Sequence, residues 1–458
     1  MAIKIKKKKR LTDRPWIRDL SGLDKVSFGW SVPLKEGAGT FKLFQESHDC
    51  ESILQSGENP DDEERYRKYE SFLQRNRIAD HYCISRTPIK TVLLTGATGF
   101  LGAHILDALQ RNGNCVVYCL VRDRTPQDKR RDLQEILGYY FGARYADQIG
   151  SSIIPVTDDI TDRELAQKLP ESVDLVIHAA ASVKHYGSYD YFYRVNTLGT
   201  RNMAEYALST GARFLHISTI SVSGNSQADV FGSERAEKER WFGEEHLYQG
   251  QAFSNVYVRS KFEAECAVFD AMLRGLRANI IRVGNLTNRS SDYVFQPNYE
   301  ENAFLSHIRA AIGLGCLPDS MESMYSEFSP VDDTADAIVR IAGHFNMDYT
   351  IFHVYSNRNL YFDRMMEILK ELSVDMEIVD GQIFARRLKE EANQEKAYIY
   401  KAFLGDVDEE GRLSYETNIH IKNEFTISYL KQLGFTWSEI DFEYIKGCLD
   451  YFRRLGYL

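Results

Sequence analysis

The chain is predicted to be an α/β protein, a doubly wound parallel sheet followed by a smaller, mostly helical C-terminal domain. Three observations carry that expectation. From Lys90 onward, short apolar runs (TVLL, CVVYCLVR, SIIPV, DLVIHAA, RFLHIST) alternate with segments of helical spacing, the pattern of βαβ units. The first run leads into a glycine turn, GATGFLG, and then into the amphipathic segment AHILDALQRNG, closed by Gly113. After about residue 296 the alternation weakens, and ENAFLSHIRAAIGLG, TADAIVRIAGHF and FDRMMEILKEL read as helices.

Each part follows in order. Residues 1–88 form an extension whose one legible element is a helix around Tyr69, Phe72 and Leu73, within ENPDDEERYRKYESFLQRNR. The opening MAIKIKKKKR holds six basic side chains and reads as a solvated tail. No apolar segment follows it, so no secretory signal is read there, and no run of about 18 apolar residues is present to span a membrane. Across the 458 residues, 56 basic and 66 acidic side chains leave a net charge of −10. That balance argues against a dedicated nucleic-acid binder, which needs a basic face. The seven cysteines (50, 83, 115, 119, 266, 316 and 448) show no zinc-ligand spacing. We read reduced thiols, no metal site and a cytoplasmic protein.

Residues 89–295 are the predicted nucleotide-binding domain, Rossmann-type in its order of strand, glycine turn and helix. In Thr95-Gly96-Ala97-Thr98-Gly99-Phe100-Leu101-Gly102 the glycines permit a tight turn and let the backbone approach a pyrophosphate. The helix start supplies free N–H groups and a positive dipole end. Twenty residues past Gly102 stands Arg122, with Arg124 close by, where an acid would select a ribose 2′-hydroxyl. The arginines favour a 2′-phosphate, and therefore NADPH. Asp159 is placed to meet an adenine amino group, with Ile160 flanking the ring. Ala179, Ala180 and Ala181 end a strand with residues small enough for a cofactor to lie against them.

The chemistry is read from three segments. Tyr257 and Lys261 form Y-x-x-x-K, which puts phenol and ammonium on one helix face. A nearby cation is expected to bring the phenol down from its usual value near 10 toward neutrality. Ser218-Thr219-Ile220-Ser221 ends the strand RFLHI, where ligands meet open α/β sheets. Thr219 is the chosen carbonyl donor, with Ser218 and Ser221 as rivals. Asn196 is a candidate to hold the lysine through water, or else a helix-kinking residue.

Together these segments resemble the extended short-chain dehydrogenase/reductases. Within them they resemble the thioester reductase domains that end many nonribosomal peptide synthetases, and the similar domains of carboxylic acid reductases. The resemblance runs through VLLTGATGFLGAHIL, VIHAAASVKHYGSYDYFYRVNTLGT, HISTISVSG, VYVRSKFEAE, IIRVGNLTNR, FQPNYEENAF and EFSPVDDTADAIV, and more weakly through FTISYLKQLGF and IKGCLDYFRRLGYL. It covers residues 90 to 458. It implies that Gly96, Thr98, Gly99, Phe100, Leu101 and Gly102 cradle the pyrophosphate, and that Arg122 and Arg124 take the 2′-phosphate. It further implies that Thr219, Tyr257 and Lys261 are catalytic, with Asn196 as a fourth member. Val283 and Asn285 would lie by the nicotinamide, Lys184 and His185 by the substrate channel, and residues 296–458 would form the substrate domain.

The implied reaction is NADPH-dependent reduction of an acyl or peptidyl thioester on a carrier protein's phosphopantetheine arm, releasing an aldehyde or an alcohol. One departure stands out. No Gly-x-Ser-Leu carrier motif occurs in residues 1–88, where SFGWS does not fit, so the carrier is expected in trans. The extension either docks a partner or wraps the reductase. Competing readings are a fatty acyl-CoA or other carbonyl reductase, a nucleotide-sugar epimerase or dehydratase, and a cofactor-sensing protein without catalysis. Arg122 and RVGNLTNR disfavour the epimerase, and the Tyr257/Lys261 pair disfavours the sensor.

Overall fold

The computed structural model describes residues 27–28, 60–76, 86–112, 115–122, 126–162, 164–183, 186–224, 240–248, 256–321, 325–344, 349–391, 400 and 419–458. Its centre is a seven-stranded, all-parallel sheet. The strands are β1 (Thr91–Thr95), β2 (Val116–Val121), β3 (Ile153–Thr157), β4 (Leu175–His178), β5 (Arg213–Thr219), β6 (Ala278–Val283) and β7 (Ile351–Val354). Their spatial order is 7-6-5-4-1-2-3. The direction of winding reverses between β1 and β4, and a crevice for ligands opens there at the strands' carboxyl ends.

Strands buried on both faces read as continuous apolar runs. Val92, Leu93 and Leu94 of β1 are fully buried, as are Leu175, Val176 and Ile177 of β4. One face is covered by α2 (Phe100–Asn112), α3 (Pro126–Phe141) and α7 (Val331–Ala342). The other is covered by α4 (Gly199–Thr210) and α5 (Val256–Leu273). Gly211 at φ +71° ends α4 in the left-handed conformation that glycine adopts without strain.

The extension contributes α1 (Pro60–Asn76), which lies on α5. Tyr69 stacks on Phe269 at 5.1 Å, and Tyr66 meets Phe262 edge-on at 5.3 Å. The Arg65 guanidinium and the Tyr69 hydroxyl both donate to Asp270, at 2.6 and 2.5 Å. In its described part the extension packs against α5.

The sheet does not follow the division at 295/296. Strand β7 and helix α7, both beyond it, belong to the sheet and its cover, and α10 (Glu424–Gln432) packs there too. Loss of strict alternation hides this, because a long insertion separates β6 from β7. What remains C-terminal is α6 (Ala303–Leu314), α8 (Phe362–Glu371), α9 (Gly381–Glu391), α11 (Phe442–Arg454) and short strand pairs, around small cores of their own. No described helix is long and apolar enough to cross a membrane, and no metal-ligating cluster exists among the described residues. Cys115, Cys119, Cys266 and Cys316 are buried free thiols; Cys50 and Cys83 lie outside the described residues.

Candidate active site

The glycine turn sits at the carboxyl end of β1 and has no space for side chains. Gly96 is at φ +76°, and a Cβ there would lie 2.8 Å from the Ala179 carbonyl carbon and the Ala180 nitrogen. A Cβ on Gly102 would lie 2.0 Å from the Gly96 oxygen. This cradle fits a pyrophosphate held by main-chain N–H groups at the start of α2. Phe100 and Leu101 contribute main chain only: the Phe100 ring packs against Phe295 at 5.0 Å, and Leu101 lies in the core.

Arg122 is exposed at the end of β2, open to a phosphate; Arg124, Lys184 and His185 lie outside the described residues. The Asp159 carboxylate accepts from Thr161 N at 2.8 Å. The side chain of Ile160 is half-buried, with one side against α4. It fills the space beside Gly199, where a Cβ would come within 2.7 Å of its Cδ1. Ala179, Ala180 and Ala181 line the crevice half-buried, and Ala180 N donates to Thr95 Oγ1 at 3.0 Å. Val283 is buried at the end of β6 and Asn285 is exposed just past it.

Thr219, Tyr257 and Lys261 converge. Thr219 ends β5; its hydroxyl donates to Ser221 Oγ and accepts from Ser221 N, both at 3.2 Å, and hydrogen-bonds Tyr257. Ser218 is ruled out as its rival, because it points into the core and donates to Glu265 Oε1 at 2.6 Å. Lys261 is buried and donates from Nζ to the Ile217 carbonyl at 2.6 Å. Burial pushes the ammonium down to about 8, with Glu265 pulling the other way.

The phenol does not follow the sequence expectation. Burial pushes Tyr257 up to about 12, opposed only by the hydrogen bond with Thr219. The lysine spends a proton on Ile217, so desolvation of the phenolate dominates. Tyr257 is therefore a protonated donor throughout the neutral range.

Asn196 holds backbone. Its Oδ1 accepts from Ser182 N at 2.7 Å, and its Nδ2 donates to Ser182 O at 3.0 Å and to Ser260 Oγ at 2.9 Å. These contacts tie the loop after β4 to α5, the helix that carries Tyr257 and Lys261. Residues Tyr193–Leu198 around it form a π-helical turn. Such turns recur at functional sites.

Sequence reasoning missed His178, which sits in plain view in the run VIHAAA. It bridges Thr95 Oγ1 at 2.8 Å and Thr200 Oγ1 at 3.1 Å. Thr200 spends its proton on Asn196 O at 2.6 Å, so by elimination His178 donates from Nε2 and accepts at Nδ1. Burial first, and then the Lys261 charge, hold the ring neutral, with its proton affinity down to about 3. One directed chain thus joins the strand before the glycine turn to Asn196 and the catalytic helix. A single histidine in an apolar run gave no signal for it.

The chain is similar to known proteins over most of its length. The family profile described as male sterility protein, an NAD-binding domain, matches residues 94–338. Among solved structures, a thiolation-reductase di-domain from an archaeal non-ribosomal peptide synthetase shares 34% identity with a TM-score of 0.75, over 86% of this chain and 81% of that one. The reductase domain of the aureusimine biosynthetic cluster shares 29% identity with a TM-score of 0.73, over 87% and 99%. A linear gramicidin synthase of Brevibacillus parabrevis is 26% identical across 81% of this chain, which is 7% of that protein. The chain spans less than a third of the length of the curated relatives it matches. On the family profile and the archaeal structure, this chain belongs to the male sterility, NAD-binding family of extended short-chain dehydrogenase/reductases.

Proposed function

We propose that the protein is an NADPH-dependent reductase of acyl or peptidyl thioesters presented in trans on the phosphopantetheine arm of a carrier protein. The observation that supports this reading is the Thr219–Tyr257 hydrogen bond, with Lys261 held at the neighbouring Ile217 carbonyl, at the carboxyl end of the sheet whose β1 ends in a glycine turn too tight for side chains. Similarity to reductase domains of peptide synthetases supports the substrate class. The division of labour proposed for the rest of the chain is cofactor binding by 89–295 and substrate binding by 296–458, with β7 and α7 completing the cofactor-binding sheet.

Bound NADPH supplies a hydride to the thioester carbon. The Thr219 and Tyr257 hydroxyls donate to the oxygen that gains negative charge, where donors fixed in advance help most. Tyr257, protonated throughout the neutral range, gives its proton to that oxygen. Lys261, four residues along the same helix and bonded to the Ile217 carbonyl in the cofactor-free site, would turn its charge to the phenolate left behind. Collapse of the hemithioacetal breaks the carbon–sulfur bond and frees an aldehyde; the hydroxyl proton returns to Tyr257, and the departing thiolate takes a proton from water to become the thiol. Reduction of that aldehyde to an alcohol would need a second NADPH, exchanged for the spent cofactor, with Tyr257 again giving its proton to the oxygen.

The test follows absorbance at 340 nm with purified protein, NADPH or NADH, and acyl-pantetheine, acyl-CoA or carrier-loaded thioesters. Thioester-dependent oxidation of NADPH is expected, strongest with a loaded carrier. Tyr257→Phe should lower kcat/KM by about 100-fold or more while leaving NADPH binding in place. Full turnover in that variant would overturn the assignment. Arg122→Ala should weaken NADPH about tenfold and leave NADH unchanged, the loss of one phosphate contact.

A further inference from the structure

One buried carboxylate stands apart from the other ionic groups of the described core. Glu265, on the inner face of α5 itself, is matched by Arg282 at 2.7 Å, both fully buried. Glu327 is also buried, only 8% exposed, and is matched by no cation among the described residues. Its partners are neutral donors. Oε2 accepts from Asn285 N at 2.6 Å, and Oε1 engages the Ser329 hydroxyl. That hydroxyl in turn accepts from Ser356 N at 2.9 Å. Burying a charge this way is costly, so the fold should carry it only where it is used.

The place it occupies is specific. The segment Leu286–Thr287, just after β6, pairs with Ser329–Pro330, and Ser329 N donates to Asn285 O at 3.0 Å. Asn285 is therefore gripped by its N–H through Glu327 and by its carbonyl through Ser329. Gly284 lies on the carboxylate itself. A Cβ there would come within 2.5 Å of Glu327 Oε2 and 2.6 Å of Tyr355 Cβ. Val283 ends β6 and Gly284 and Asn285 follow it, the stretch that the family resemblance places by the nicotinamide.

We infer that Glu327 is a positioning residue, whose carboxylate pins the Gly284–Asn285 turn and so fixes the seat of the nicotinamide ring. The inference rests on the cofactor-binding reading of the preceding section. Charge is the working part of the pin, because an N–H···carboxylate bond is roughly twice as strong as its neutral counterpart. Burial raises the carboxyl to about 7, with the Ser329 and Asn285 donors opposing. The groups facing it, Asn285, Ser329, Tyr355 and Ser356, include no charge, and the Tyr355 hydroxyl donates away to Ile421 O at 2.9 Å. The grip should therefore loosen as pH falls through 7.

The experiment compares wild type, Glu327→Gln and Ser329→Ala. Two quantities are read: NADPH affinity by fluorescence at pH 6 and 8, and hydrogen exchange of the Asn285 amide in cofactor-free protein at pH 8. Wild type should lose about tenfold more affinity than Glu327→Gln between pH 8 and 6, and Asn285 should exchange about tenfold faster in Glu327→Gln. Comparing the two proteins under the same conditions cancels the titration of the cofactor's own phosphate. Ser329→Ala, which keeps the carboxylate and removes one support, should fall between them, and it carries the test if the glutamine variant does not fold. Equal affinities, pH dependence and exchange in all three would overturn the inference. Absence of NADPH binding by wild type at either pH would instead overturn the cofactor reading, while the exchange rates would still judge the pin.

Discussion

Lys261, the proposed catalytic lysine, is buried in the interior where a charge is costly. Buried to 3% exposure, it is a weaker base than a free lysine, its value lowered to about 8 by desolvation. If its charge supports proton transfer from Tyr257, kcat/KM should be level below pH 7 and fall as pH rises through about 8. The phenol, at about 12, does not titrate in that window. Lys261→Arg should remove the alkaline limb while lowering the plateau, and an unchanged limb would assign it elsewhere. The same shift acts on stability with the opposite sign. Below 8 the folded state carries a buried cation that the unfolded state carries in water. This group's penalty is therefore relieved as pH rises from about 8 to the ordinary 10.5. At this scale the candidate site was largely legible. Thr219, Tyr257, Lys261 and the glycines announce themselves by spacing, because their geometry is local. The direction of the tyrosine shift was not legible, since desolvation depends on what the rest of the chain piles on top.

Helix by helix, the strongest element-level finding is α1 against α5. The extension's aromatic spacing predicted a helix, and nothing local said which surface it covers. Tyr69 is 1% exposed, stacked on Phe269 and bonded to Asp270, on the outer face of the helix that carries Tyr257 and Lys261. Tyr69→Ala should cost about 3–5 kcal/mol, read as a shift of the urea midpoint. A solvated tail would show no shift. Turnover per folded molecule should fall too, because the outer support of the catalytic helix is lost. The π-helical turn at Asn196 is a second case. The sequence offered either a kink or a lysine contact, and the fold uses the extra residue in the turn to aim the amide at Ser182 and Ser260.

At the level of the whole molecule, the central sheet is held to its C-terminal supports by Arg282. Its guanidinium donates to both Glu265 oxygens, to His246 O at 2.9 Å and to His353 Nε2 at 3.1 Å. His353 in turn engages Lys422 O at 2.6 Å. Arg282→Met should destabilise the protein by about 3–5 kcal/mol by removing the paired cation from a fully buried Glu265, which keeps only the Ser218 hydroxyl as a direct donor. Adding Glu265→Leu should restore much of that loss, and strict additivity of the two changes would refute the coupling. This network joins residues far apart in sequence and was invisible to motif reading, as was the placement of β7. The doubly wound sheet was legible because each βαβ unit is contiguous; its last strand was not, because about 70 residues separate Val283 from Ile351.

That gap has a consequence for how the chain is made. Until Ile351–Val354 leaves the ribosome, β6 is an open edge, with the backbone groups of Ile280–Val283 free to pair with a neighbouring nascent chain. Meanwhile α1, synthesised long before, waits about 200 residues for the helix it covers. Closure by such distant partners implies a high contact order and slow, late-committing folding, in which early intermediates need shielding at both the sheet edge and the outer face of α5.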